Sequence, residues 1–168
     1  MKDHRIVILG FMASGKTTVG QEVARQLNCT FVDLDSLITA RDGRSPAEII
    51  KADGEDSFRE IETAALCDVL QNQQAEVIAL GGGTWTVPAN RTLLSGHNYL
   101  SIWLDAPFEL CWERISADEQ IRPLAPDRAA ALARYEARAS DYSLAKRRIK
   151  ISESDVVESI AGQILRER

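Results

Sequence analysis

The 168-residue chain has little of what a disulfide scaffold, a membrane protein or a nucleic-acid binder needs. Its three cysteines, Cys29, Cys67 and Cys111, are odd in number, far apart and without a CxxC pair, so they read as small apolar fillers in a reducing compartment. The two histidines, His4 and His97, stand apart with no metal-ligand spacing and are given no role. No apolar run approaches the ~20 residues of a membrane span. Positive charge is scarce: 20 Lys+Arg against 25 Asp+Glu leave a net charge of −5, which argues against the basic face that nucleic acid or an anionic membrane surface attracts. Lys2 and Arg5 precede an apolar stretch over 6–13, the outline of a secretion signal. Asp3 interrupts that positive region, however, and Ser14, Gly15 and Lys16 do not make a small-x-small cleavage site, so a cytoplasmic protein is expected. Internal repeats, low-complexity tracts and linkers are missing as well.

What is present suits one compact domain over residues 1–168. A chain of this length buries roughly 70% of its unfolded surface and needs no disulfide or metal to hold it. Apolar residues at 45% and charged residues at 27% match an ordinary globular protein. Ile6, Val7, Ile8 and Leu9 form a short all-apolar strand, followed by a glycine loop. A helix then opens at Lys16, with Val19, Val23 and Leu27 at helical spacing. Strands are read again over 31–34, 77–80, 99–104 and 148–151. Helices are read around Leu37 and Ile38, from Ser45 to Asp53, along Phe58, Ile61, Ala65 and Val69, over 90–95, 106–116 and 127–140, and from 155 onward. Ser45, Pro46 and Glu48 supply a capping box with proline at the first helical position. Residues 117–126, polar and carrying Pro123 and Pro126, read as a mobile lid. Strands apolar throughout and alternating with helices predict a parallel sheet covered on both faces, a three-layer α/β domain. Such folds bind ligands at the carboxyl ends of their strands.

The unusual residues fall at those ends. Gly10, Gly15, Lys16 and Thr17 fit G-x-x-x-x-G-K-[ST], the phosphate-binding loop, in which backbone N–H groups curl round phosphate oxygens at a helix start. The candidate nucleotide contacts are Gly10, Ala13, Ser14, Gly15, Lys16, Thr17 and Thr18, joined by Arg122 from the lid. Lys16 is expected at the transferring phosphates and the Thr17 hydroxyl at Mg²⁺. Asp33 and Asp35 flank Leu34; a strand period of two points both carboxylates the same way, one toward Mg²⁺ and one toward an acceptor. A helix cap explains one of them equally well. Arg59 adjoins the apolar face of its helix, and Arg138 shares an alanine-rich helix with Arg134 and Glu136. A solvated, salt-bridged face is the plain alternative for both arginines. Gly81, Gly82 and Gly83 remove side chains at a strand end and let a ligand reach backbone N–H groups. Trp85, Trp103 and Trp112 read as packing, with Trp85 as a possible ligand platform because it follows the glycines.

Taken together, the phosphate loop, Asp33-x-Asp35, Gly54-Glu55-x-x-Phe58-Arg59, the triple glycine, Arg122-Pro123-Leu124, and Arg138 four residues before Tyr142 resemble the shikimate kinase family. That family belongs to the nucleoside-monophosphate-kinase-like P-loop group. The resemblance implies five parallel strands in order 2-3-1-4-5 and transfer of the γ-phosphoryl of ATP to the 3-hydroxyl of shikimate. It implies catalytic roles for Lys16, Asp35 and Arg122. Asp35, Arg59, Gly81, Gly82, Gly83 and Arg138 would hold the acceptor, the two arginines gripping its carboxylate, while Thr17 and Asp33 would serve Mg²⁺. The expected partners are ATP and shikimate, without nucleic acid or membrane, in a monomer. This chain departs from the family pattern in small ways: Ala125 follows Leu124, Arg114 is the nearest candidate to stack on adenine, residues 151–155 lack an adenine-loop arginine, and Ile50 stands where some members place an aromatic. A gluconate kinase or a non-catalytic nucleotide-binding module are the competing classes.

Overall fold

In the computed structural model, residues 5–118 and 122–166 are described. Lys2, Asp3, His4 and the middle of the lid segment, 119–121, lie outside them. Strands β1 (Ile6–Gly10), β2 (Phe31–Asp33), β3 (Val77–Ala79), β4 (Leu100–Asp105) and β5 (Arg147–Lys150) form one parallel sheet in the order β2-β3-β1-β4-β5. Every residue of β1 and β3 is buried, as expected of strands covered on both faces. The helices are α1 (Lys16–Leu27), α2 (Leu34–Asp42), α3 (Pro46–Asp53), α4 (Glu55–Gln71), α5 (Pro88–Gly96), α6 (Phe108–Ala117), α7 (Arg128–Tyr142) and α8 (Val157–Arg166), with a 3-10 turn at Thr84–Thr86. They lie on both sides of the sheet. Helix α1 packs on α8, and α4 packs against α2, α3 and α5.

The parallel register aligns the strand ends that matter. Asp33 pairs with Ala79, Ala79 with Ile8, and Gly10 with Leu104. The ends of β2, β3, β1 and β4 therefore open on one edge, and the loops leaving them meet there. The helix starts read from the sequence are real: Ser45 and Glu48 form the reciprocal capping box of α3, and the Asp127 side chain accepts from Ala130 N at the start of α7.

Three readings need correction. Strand β2 stops at Asp33, and Leu34 already belongs to α2, because the Asp33 carboxylate accepts the Ser36 N–H at 2.9 Å and nucleates the helix there. Asp33 and Asp35 are thus brought together by a cap and a first helical turn, not by strand alternation. On α4 the buried stripe runs through Phe58, Glu62, Ala65, Leu66 and Val69, leaving Ile61 partly exposed. Trp85 is no ligand platform: it is buried, and its indole N–H donates to the Asp141 carbonyl at 2.9 Å. Cys67 and Cys111 are free thiols, Cys111 fully buried, and His97 closes α5. No helix among the described residues is long and apolar enough to cross a membrane.

Candidate active site

The phosphate loop is built from backbone conformations that its sequence permits. Gly15 sits at φ 94° and Ala13 at φ 59°, both left-handed, so successive peptide N–H groups turn inward ahead of α1. A Cβ at Gly10 would lie 2.7 Å from the Leu104 carbonyl oxygen of β4, so no side chain fits there. The Lys16 ammonium donates to the Phe11 carbonyl at 2.8 Å, spanning the loop. Burial lowers its pKa to about 8, against the attraction of Asp35. Ser14 is buried with its hydroxyl unpartnered. Ala13, Ser14, Gly15, Lys16, Thr17 and Thr18 all line a cleft of about 530 Å³ that continues to Arg114, Asp155 and Val157.

A second cleft of about 720 Å³ adjoins the first. Arg59, Glu62 and Arg138 line it, together with the three glycines and residues of α2 and α3. The two clefts share Met12, Thr17, Asp33, Asp35, Gly82 and Arg122. Apart from Gly10, which is buried at the end of β1 and lines neither cleft, the nucleotide-side and acceptor-side candidates named from the sequence therefore converge on one place. Arg122 donates to Asp118 at 3.0 Å while its Nε is enclosed without a partner.

Thr17 and Asp33 meet as read: the hydroxyl donates to Asp33 Oδ2 at 2.5 Å, while Oδ1 caps α2. A hydroxyl and a carboxylate at the loop mouth are the hard oxygen donors that Mg²⁺ takes. Among the described residues there is no cluster of three or more His, Cys, Asp or Glu that could hold a metal. This donor set therefore suits an ion that takes its remaining ligands from water and phosphate.

Asp35 is the unsatisfied acid. Its Oδ1 is buried without a hydrogen-bond partner, and its pKa is pushed up to about 6, first by burial and then by Glu62 and Asp33. Beside it lies a residue the sequence reading missed. Glu62 is fully buried, accepting from Arg59 at 2.6 Å through Oε2 and from Thr84 at 2.6 Å through Oε1. The signal was available: a glutamate four residues after Phe58, on the stripe that continues through Leu66 and Val69. Burial works against the charge on Arg59, but Glu62 and then Glu55 outweigh it and raise its pKa.

The triple glycine has a more specific purpose than access to N–H groups. A Cβ at Gly81 would come within 2.7 Å of both Asp35 Oδ1 and Glu62 Oε1. At Gly82 it would meet Arg138 Nη1 at 3.0 Å, and at Gly83 Arg59 Nη2 at 2.2 Å. Each glycine makes room for a charged group of the cleft. Arg138 is not on a solvated face: only 7% of it is exposed, and burial lowers its pKa, with Arg134 and Arg59 adding to the effect. Tyr142, one turn later, donates its hydroxyl to the Gly82 carbonyl and lies beside Arg138. Among the described residues Arg138 has no carboxylate partner.

A phosphate loop at a strand-to-helix turn, joined to a cleft with a free carboxylate and buried guanidinium groups, defines a phosphotransferase of the P-loop class. The chain belongs to the shikimate kinase family, whose model matches residues 12–167. The shikimate kinase of Synechococcus sp. (strain JA-3-3Ab) is 40% identical over 162 residues, covering 95% of this chain and 84% of that protein. The shikimate kinase of Acinetobacter baumannii, solved in complex with shikimate, superposes with a TM-score of 0.88 at 30% identity, over 97% of this chain and 91% of that one. A gluconokinase from Sinorhizobium meliloti reaches a TM-score of 0.64 at 17% identity, over 96% of this chain and 89% of that one, and shares the fold alone.

Proposed function

We propose that this protein transfers the γ-phosphoryl group of ATP to the 3-hydroxyl of shikimate. The observation that carries this reading is Arg138, a buried guanidinium with no carboxylate partner among the described residues, facing a cleft that opens onto the phosphate loop. Such a group is costly to bury unless an anion meets it, and a planar fork suits a carboxylate. Arg59 stands across Gly82 and Gly83 from Arg138 and supplies the second fork.

In this reading the acceptor's carboxylate lies between Arg59 and Arg138, which turns its ring so that one hydroxyl faces Asp35. Phosphoryl transfer has a loose transition state, so orientation and charge balance matter more than a strong base. Asp35 accepts a hydrogen bond from the hydroxyl and takes its proton late, as the new O–P bond forms. The bond to the β-phosphate oxygen breaks with its electron pair, and ADP leaves. Lys16 exchanges the Phe11 carbonyl for phosphate oxygens, and Arg122, at the junction of the clefts, balances charge on the moving group. Mg²⁺, held through Thr17 and Asp33, would neutralise β- and γ-phosphate oxygens. The lid read from the sequence, whose described part sets Arg122, Pro123 and Leu124 on the acceptor cleft, would keep water from the phosphoryl group. All these groups come from one chain, so a cytoplasmic monomer without nucleic-acid or membrane partners suffices.

The test is ADP release by folded, Mg²⁺-supplied protein, with shikimate and gluconate as alternative acceptors. Turnover that depends on shikimate is expected, and its absence refutes the proposal.

A further inference from the structure

We propose that Arg134 is a positioning residue for the acceptor cleft, acting through Glu55 to keep Arg59 available to an incoming carboxylate. The inference rests on the reading of Arg59 as an acceptor-binding group. Neither Arg134 nor Glu55 lines the cleft. They stand behind its wall, where α7 passes the start of α4.

Glu55 Oε1 is shared by two arginines: Arg59 Nη2 at 3.2 Å, one turn along α4, and Arg134 Nη1 at 3.3 Å, across from α7. Arg134 also donates through Nε to the Leu124 carbonyl at 3.0 Å, in the Arg122-Pro123-Leu124 segment that bounds the cleft. Its guanidinium therefore ties three pieces together: the lid end, the α4 start and α7.

The charge balance gives the arrangement its consequence. Arg59 already has Glu62 at 2.6 Å, a buried carboxylate that neutralises it. A second carboxylate, Glu55, leaves Arg59 over-neutralised and would repel an anionic substrate. Arg134 cancels that second charge. With Arg134 in place, Arg59, Glu55 and Glu62 are balanced, and Arg138 supplies the net positive charge that one substrate carboxylate needs. Arg134 also lies close enough to Arg138 to oppose its protonation, so its positive field reaches the same wall. Without Arg134 the wall carries no net charge, and Arg59 Nη2 turns to Glu55 alone.

Steady-state kinetics of R134Q, E55Q and the double variant, with R59A as reference, decides the matter. R134Q should raise KM for shikimate about fivefold and leave KM for ATP within twofold. By the same charge count E55Q alone should not raise KM for shikimate, and it should leave KM for ATP within twofold. The double variant should return KM for shikimate to within twofold of the unaltered protein, because removing the uncancelled carboxylate replaces the need for its partner. A purely structural tie to Leu124 is lost in R134Q and is not restored by E55Q. An unchanged KM in R134Q, or a double variant no better than R134Q, overturns the role of Arg134. If R59A also leaves KM for shikimate unchanged, the reading of the acceptor site fails with it. If only R59A raises it, Arg134 alone is refuted.

Discussion

Gly83→Ala isolates the geometry of Arg59 without replacing any charged residue. Gly83 has φ −108°, a conformation any L-residue adopts, so alanine adds no backbone strain. Its methyl group, however, would lie 2.2 Å from Arg59 Nη2 and 2.5 Å from Cζ, where ordinary contact begins at 3.4 Å. The obstacle is the far end of a flexible side chain, so the guanidinium yields rather than the fold, retreating by about 1 Å. That retreat breaks the 2.6 Å pairing with Glu62 and tilts the fork away from the acceptor. A charge-assisted hydrogen bond is worth about 1.5–3 kcal/mol, so losing one from Arg59 weakens acceptor binding by roughly 10- to 100-fold. Coupled measurement of ADP release should show that rise in KM for shikimate, with KM for ATP nearly unchanged and a melting temperature within a few degrees. Gly81→Ala is the contrasting variant. There the methyl group meets two carboxylates at 2.7 Å and the Thr84 hydroxyl at 3.1 Å, and Glu62 and Thr84 are fully buried and bonded to each other, so about 1–3 kcal/mol of stability is lost. If Gly83→Ala keeps the original KM for shikimate, Arg59 does not grip the acceptor in the way the geometry implies.

Asp35→Asn should abolish turnover yet raise stability at neutral pH: the folded pKa of about 6 exceeds the ordinary 3.8, so ionised Asp35 costs about 3 kcal/mol above pH 6, and thermal melts should show a gain that disappears below about pH 4. The same ionisation predicts that kcat/KM for shikimate falls on acidification through about pH 6; a flat profile from pH 5 to 7 would exclude Asp35 as the proton acceptor. Lys16→Ala should reduce kcat by orders of magnitude, and in the unaltered enzyme kcat/KM for ATP should decline above about pH 8 as the ammonium loses its proton. Arg138→Ala should raise KM for shikimate at least tenfold with ATP affinity unaltered, as measured by titration; equal damage to both substrates would contradict its assignment to the acceptor side.

The sequence reading succeeded where one local rule decides structure. The phosphate loop, the capping box at Ser45 and Glu48, and the Asp127 cap depend on residues within a few positions of one another, and all three appear as read. It faltered where two rules compete for one residue. Asp33 fits both a strand end and a helix cap; the cap prevails because its carboxylate captures Ser36 N–H, moving Leu34 from β2 into α2. Glu62 escaped notice because charge ordinarily marks an exposed face, whereas its partners, Arg59 and Thr84, make burial tolerable. Arg138 looked like a solvated helix residue because nothing in its own neighbourhood tells that Gly82, 56 positions earlier, leaves space for its guanidinium. Long-range placement of this kind is carried by topology, and the family resemblance supplied it where local spacing could not.

Two acids face each other across Gly81, and hydrogen bonding divides the work between them. Glu62 spends both carboxylate oxygens on fixed donors, Arg59 and Thr84, which hold it in place. Asp35 has a buried oxygen with no donor, and the fixed negative charge of Glu62 helps raise its pKa to about 6. A carboxylate with that pKa is still ionised at neutral pH and is a far better proton acceptor than an ordinary aspartate. Glu62 therefore has two effects on chemistry it does not perform: it fixes the arginine that positions the acceptor, and it tunes the acid that receives the proton. Both require a glycine between the carboxylates, because any side chain at position 81 would push them apart.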